Sequence, residues 1–216
     1  MKSKKQSLAD IRAEYLNGRL DEASVEDDPL AQFRIWMQEA IHAQIVHPTA
    51  MLLATANSAG VPSLRVVLLK DVCEEGFTFF SNYASRKGRE IDENPGVALT
   101  FFWNGLERQV RIEGTATKVS DKISEEYFHS RPYESRLSAA ASPQSEIVIN
   151  REHLEKLRDD VKQQYPGGHI PRPPQWGGYL VKPVYMEFWQ GRENRLHDRI
   201  GYFRENNGWK ICRLAP

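Results

Sequence analysis

Two hydrophobic rhythms divide the chain. Up to about residue 45, apolar positions recur every three or four residues. Leu8, Ile11, Tyr15 and Leu16 do so in the segment Ser7 to Leu16, closed by Asn17-Gly18; Leu30, Phe33, Met37, Ala40 and Ile41 do so after Asp28-Pro29. That spacing puts each set on one helical face, and Asp followed by Pro is a helix-opening pair. From Thr49 the period shortens. Met51 to Ala56 and Ser63 to Leu69 read as strands around the turn Asn57-Ser58-Ala59-Gly60, with further strands at Phe77 to Ser81, Val97 to Trp103 and Arg108 to Lys118. Helical spacing returns in Ser85 to Glu93, in Ser120 to His129 with Arg131-Pro132 as a break, and in Asn150 to Gln164. Beyond the Pro/Gly-rich connector Pro166 to Pro174, strands are expected at Gly178 to Val181, Val184 to Gln190, Leu196 to Phe203 and Trp209 to Leu214. Short strands joined by hairpin-length turns, with helices inserted between them, predict a mainly antiparallel β fold closing toward a barrel. No GxGxxG follows a strand, which weighs against a Rossmann dinucleotide site.

Length and charge narrow this picture. At 216 residues the chain is one elaborated domain or two small ones. Lys+Arg and Asp+Glu both number 29, so there is no basic excess of the kind a general nucleic-acid surface needs. The longest apolar runs, such as Ala50 to Ala54, are far short of the roughly 20 residues of a membrane span. The opening MKSKKQSLADIRAEY has no apolar h-region, and Cys73 and Cys212 are the only cysteines, so a cytoplasmic location is expected. The histidines are scattered and give a metal site little support.

Positive charge is concentrated locally. Arg65-Val66-Val67-Leu68-Leu69-Lys70 is an apolar strand bracketed by cations; a buried strand with solvated ends is the simpler reading. In Phe80-Ser81-Asn82-Tyr83-Ala84-Ser85-Arg86-Lys87 a helix opens with two cations in its first turn, against the helix dipole. A bound phosphate would resolve that conflict; an exposed basic turn is the alternative. Tyr127, Arg131 and Ser135 fall at steps of four and could donate to one oxyanion, or form a solvated helix face. Arg195, His197 and Arg199 share parity, so on a strand they project together and repel unless a ligand or carboxylates balance them. Separate cationic sets suggest more than one phosphate-bearing ligand.

The stretch Glu187-Phe188-Trp189-Gln190 followed by Arg195-Leu196-His197-Asp198-Arg199, together with RVVLLK, FFSNYASRK, LERQV, YFHSRP and WKICRLAP in that order, resembles the pyridoxamine 5′-phosphate oxidase family over nearly the whole chain. The resemblance implies an FMN-binding split β-barrel spanning residues 1–216, with an N-terminal helical segment (about 1–45) and a C-terminal dimerisation and catalytic region (about 170–216). It implies a homodimer with FMN at the interface. It assigns FMN contacts to Arg65, Val66, Val67, Leu68, Leu69, Lys70, Phe80, Ser81, Arg86 and Lys87, and, from across the interface, to Gln109, Gln144, Ser145, Trp189 and Arg199. The substrate phosphate falls to Lys70, Tyr127, Arg131 and Ser135, and the substrate ring to Arg195, Leu196 and His197, of which Arg195 and His197 are the candidate catalytic residues. Arg12 to Tyr15 resembles a segment that can cover the substrate. The implied reaction oxidises pyridoxamine or pyridoxine 5′-phosphate to pyridoxal 5′-phosphate, with oxygen reoxidising FMN to give hydrogen peroxide. FMN carries the difficult step, and the protein supplies orientation and electrostatics. The competing readings are another split-barrel flavoprotein and a non-catalytic FMN or B6-phosphate carrier.

Overall fold

The structure is a computed structural model, and it describes Tyr15, residues 18–206 and residues 208–216. The helix expected over Ser7 to Leu16 therefore lies outside the described residues, apart from Tyr15. Helix α1 (Pro29–His42) opens as expected: the Asp28 carboxylate accepts from the Leu30 and Ala31 amides, with Pro29 in the first turn. The first hairpin is β1 (Ala50–Ala56) and β2 (Pro62–Leu68). A two-residue strand β3 (Asp71–Val72), which has no pattern of its own, precedes β4 (Phe77–Asn82) and helix α2 (Arg86–Glu93). Then come β5 (Gly96–Trp103), β6 (Arg108–Lys118), α3 (Asp121–Ser130), α4 (Tyr133–Ala141) and α5 (Arg151–Gln164). The chain ends in β7 (Trp176–Gln190), β8 (Asp198–Glu205) and β9 (Gly208–Arg213).

The strands form one sheet in the order β2-β1-β5-β6-β7-β4-β3, with β8 pairing β7 and β9 off this path. The expected antiparallel pairing is observed for β1 with β2 and β5, β4 with β3 and β7, and β8 with β9. Two expectations need correction. The strand expected in two pieces around Lys182-Pro183 is a single strand, β7: a proline has no N–H to give the ladder but fits at a strand position where no donor is needed. The strand expected from Leu196 starts only at Asp198, because Asn194 and Arg195 have φ of 56° and 60°. Left-handed backbone cannot continue a strand.

The described chain forms two compact units that interleave in sequence. One comprises Thr49–Phe101 and Arg111–Tyr185. Its inner sheet face buries Met51, Leu53, Phe77, Phe79, Leu99, Phe101, Ile112, Tyr179 and Val181. A satellite cluster of Phe128, Leu137, Ile170 and Trp176, flanked by Phe80 and Tyr127, holds α3 and α4. The other unit takes the described residues up to Pro48, with Phe102–Val110 and Met186–Pro216. There Trp36 meets Phe188 edge-on at 5.1 Å, Phe188 meets Tyr202 at 5.5 Å, and the Tyr202 hydroxyl donates to the Glu26 carbonyl at 2.8 Å. Among the described residues no helix is long and apolar enough to cross a membrane.

One core group is unsatisfied. The Tyr179 hydroxyl is buried with no hydrogen-bond partner among the described residues, and burial pushes its pKa up. Leaving a polar atom dry and unpaired costs about 1–3 kcal/mol. Tyr179→Phe is therefore expected to raise stability by about 1 kcal/mol, read as a higher denaturant midpoint at unchanged slope.

Candidate active site

A groove of about 880 Å³ opens in the first unit, lined among others by Arg65, Val66, Val67, Leu68, Lys70, Phe80, Ser81, Lys87, Tyr127, Arg131, Ser135, Gln144 and Trp176. Its β-sheet wall follows from register. Pairing Leu53 with Arg65 and Thr55 with Ser63 sets Ser63, Arg65 and Val67 on the half-buried face of β2, with Leu64, Val66 and Leu68 on the exposed one. Arg65 and Lys70 lie five residues apart and would point to opposite faces of a continuous strand. The strand ends at Leu68, so Lys70 leaves the ladder and both cations line the groove. Leu69 is buried and is not among the lining residues.

The floor is the turn from β4 into α2. Ser85 caps the helix, accepting from the Gly88 amide, and donates to the Asn82 carbonyl. Gly88 is required here, since a Cβ would stand 2.0 Å from the Tyr83 carbonyl oxygen. That close seat aims Lys87 inward. Its ammonium donates to Ser81 Oγ at 3.1 Å, Ser85 Oγ at 3.2 Å and Gln144 Oε1 at 2.9 Å. All three acceptors are neutral. Burial first, and then the nearby Arg65 charge, lower the Lys87 pKa to about 8. A desolvated cation touching only neutral oxygens is a seat for an anion. Arg86 does not share it: its Nε pairs with Glu90 at 2.8 Å and the side chain is mostly exposed.

The helical wall holds the second set. The break expected at Arg131-Pro132 is observed: α3 ends at Ser130 and α4 starts at Tyr133, so Tyr127, Arg131 and Ser135 do not share one helix face. Arg131 occupies the joint in extended backbone, so all three side chains still line the groove. Tyr127 stacks on Phe80 at 3.9 Å, and the Arg131 guanidinium lies 4.8 Å above Trp176. Arg131 Nη1 is buried with no hydrogen-bond partner among the described residues, and burial lowers the group's pKa. Such an atom points to an acceptor that a ligand would bring.

The resemblance assigns Gln144 and Ser145 to the set from across an interface. Within the chain Gln144 bonds Lys87 and Ser81, and Ser145 is an exposed residue with φ of 75°.

The remaining expected residues belong to the other unit. Trp189 and His197 have ring centroids 4.7 Å apart, and Tyr15 approaches them edge-on at 5.5 and 5.4 Å. His197 Nδ1 accepts the Arg192 amide at 3.1 Å, which leaves the ring proton on Nε2. Burial first, then the Arg195 charge, lower its pKa, which favours the neutral ring. Arg195 and Leu196 are exposed on the left-handed turn. Arg199 Nε pairs with the buried Glu187 at 2.8 Å, and Gln109 is half-buried on β6. Of the expected covering segment, residues 12–14 lie outside the described residues.

Sheet topology, inserted helices and cationic groove together define a protein of the split-barrel class. Residues 37–165 match the family pyridoxamine 5′-phosphate oxidase, and residues 176–216 match the pyridoxine 5′-phosphate oxidase C-terminal dimerisation region. A pyridoxine/pyridoxamine 5′-phosphate oxidase of Rubrobacter xylanophilus is 51% identical over 212 residues, covering 98% of both chains. A pyridoxine/pyridoxamine 5′-phosphate oxidase 1 of Ralstonia nicotianae is 52% identical over 211 residues, 97% of this chain and 99% of that one. The crystal structure of PhzG from Burkholderia lata, in complex with tetrahydrophenazine-1-carboxylic acid, superposes with a TM-score of 0.87 at 30% identity, covering 93% of this chain and 99% of that one. The chain belongs to the pyridoxamine 5′-phosphate oxidase family.

Proposed function

We propose that the protein is an oxidoreductase that converts pyridoxamine 5′-phosphate or pyridoxine 5′-phosphate to pyridoxal 5′-phosphate, with FMN as cofactor and oxygen as acceptor, in the cytoplasm. The observation that carries this reading is one groove with two separate cationic sets, Lys87 with Arg65 and Ser81, and Arg131 with Tyr127, Ser135 and Lys70. Its size suits two ring systems, near the upper end of the roughly 300–1,000 Å³ of small-molecule sites.

The residues present fit FMN. Lys87, bonded only to neutral oxygens, and Arg65 beside it would hold the phosphate, and Phe80 and the segment from Val66 to Leu68 would flank the flavin. When bound, FMN supplies the two-electron acceptor that takes hydride from the substrate carbon and passes electrons to oxygen. Arg131, Tyr127 and Ser135 bind the second phosphate, with Arg131 Nη1 offering a donor otherwise unpaired. Anchoring both tails fixes the rings against each other, which removes most of the orientational entropy of reaction.

Arg195 and His197 align the substrate ring. His197 donates from Nε2 and holds no proton at Nδ1, so it orients by hydrogen bonding, while Arg195 offsets developing negative charge. The matched dimerisation region supports a homodimer. In this reading FMN lies at the interface, and pairing brings Gln109, Trp189 and Arg199, with Arg195 and His197, to the groove of the other copy. The outward apolar face of β1 and β2, with Leu52, Leu64, Val66 and Leu68 between 37% and 62% exposed, supports such a pairing.

The test is purified protein supplied with FMN, oxygen and each vitamer phosphate, followed by pyridoxal 5′-phosphate and peroxide formation. Flavin retained without turnover on either vitamer would instead identify a carrier.

A pH dependence follows from Lys87. Only its protonated form attracts a phosphate dianion, so FMN affinity is expected to fall as pH rises through about 8. The cofactor-free protein responds with the opposite sign. The folded pKa lies below the unfolded one, so between about 8 and 10.5 the unfolded chain binds more protons and this group makes stability rise with pH. Flavin titrations and melting curves across pH 7 to 10 check both directions. Affinity flat with pH would remove Lys87 from the phosphate seat.

A further inference from the structure

Glu90 lies on α2 behind the groove wall, not among its lining residues, and is 5% exposed. Its Oε2 accepts Thr55 Oγ1 and Ser63 Oγ, each at 2.5 Å, and Arg65 Nη2 at 3.2 Å; its Oε1 accepts Arg86 Nε at 2.8 Å. Arg65 is tied into the same knot. Its Nη1 donates to the Leu53 carbonyl at 3.0 Å and to Thr55 Oγ1 at 2.6 Å, and its Nη2 also donates to Ser63 Oγ. A guanidinium has five N–H donors. Four are thus committed to the frame, and Nε–H remains for a ligand. The hydroxyls are polarised in one direction: each accepts from Arg65 and donates to Glu90.

A carboxylate here stays ionised. Burial pushes its pKa up, but hydrogen bonds from Ser63, Thr55 and Arg86, with the Arg86 charge, outweigh that and hold it at about 2. The β1–β2 register makes the arrangement possible, because it stacks Thr55 on Ser63 and Leu53 on Arg65 on one face, which Glu90 completes from α2.

We propose that Glu90 is a positioning residue for cofactor binding: through Thr55 and Ser63 it fixes the Arg65 guanidinium in the groove before the phosphate arrives. Its negative charge also offsets the repulsion between Arg65 and Lys87, which line the same groove. Preorganisation of this kind strengthens binding by removing the ordering cost from the binding step. The inference rests on FMN occupying the groove.

The test is a double-mutant cycle read as FMN dissociation constants from flavin fluorescence, with wild type, Glu90→Gln, Arg65→Ala and the double variant. Glu90→Gln is nearly isosteric; it removes the charge and turns one acceptor oxygen into a donor. It is expected to weaken FMN binding about tenfold, and the double variant to lie within about twofold of Arg65→Ala alone, because Glu90 acts through Arg65. A Glu90→Gln protein that binds like wild type, or losses that multiply in the double variant, would overturn the inference. Ser63→Ala, at a half-buried site that tolerates truncation, covers the case in which Glu90→Gln does not fold. It cuts one of the links to Arg65 and is expected to weaken FMN about threefold; unchanged binding would count against the proposal. Wild-type protein that takes up no FMN at all would defeat the cofactor reading itself, and that result is distinct from either variant outcome.

Discussion

Lys87→Met is expected to weaken FMN binding by about 30- to 150-fold, the equivalent of roughly 2–3 kcal/mol for a lost charge-assisted hydrogen bond. The same substitution is expected to raise the melting temperature of the cofactor-free protein. Both effects have one origin. The ammonium is held by Ser81, Ser85 and Gln144, none of which carries charge, so the folded protein carries a cation with no carboxylate in direct contact among the described residues. Methionine keeps much of the volume and removes the desolvation cost. Fluorescence titration and a thermal melt on the same preparation separate the two readouts. A variant that bound FMN normally, or melted lower, would show that Lys87 is satisfied by the protein alone.

Arg131→Ala addresses the other phosphate. It is expected to raise KM for pyridoxamine and pyridoxine 5′-phosphate by about 30- to 150-fold, on the same scale for a charge-assisted bond, and to leave the FMN dissociation constant within about twofold. Arg131 stands at the α3–α4 joint over Trp176, supported by stacking and without a carboxylate contact among the described residues, so its removal is expected to leave the Lys87 seat untouched. Unphosphorylated vitamers sharpen the test. They lack the phosphate that Arg131 is proposed to bind, and their kcat/KM is expected to change little on substitution. An equal loss with and without the phosphate would assign Arg131 to the framework.

Local rules carried much of the fold. β6 runs over the Arg108–Lys118 expected from alternation, and α1 starts at the Asp28-Pro29 pair. They failed where a backbone conformation or a distant partner decides. Nothing in Asn194-Arg195 announces two consecutive left-handed residues, so the parity argument for Arg195, His197 and Arg199 assumed a strand that is absent there. Only His197 packs against Trp189 and Tyr15; Arg195 is exposed on the turn and Arg199 pairs with Glu187. At the groove, motif order named most of the lining residues. Glu90 escaped because Arg86 to Glu93 reads as a charged helix face, and nothing local says which carboxylate turns inward. A signal existed further away: the turn at Asn57 to Gly60 fixes the hairpin register, which sets Thr55 opposite Ser63 and leaves two hydroxyls beside an arginine in need of an acceptor. Trp176 escaped for a similar reason, since only the tertiary fold carries it beneath Arg131.

The even balance of acids and bases, 29 of each, bears on how ligands reach the groove. With zero net charge, and with screening over about 8 Å at physiological salt, a doubly charged nucleotide would feel the groove's own cations only at close range. In the proposed reading the tightness of its hold resides in slow departure from an ammonium and a guanidinium already set in place.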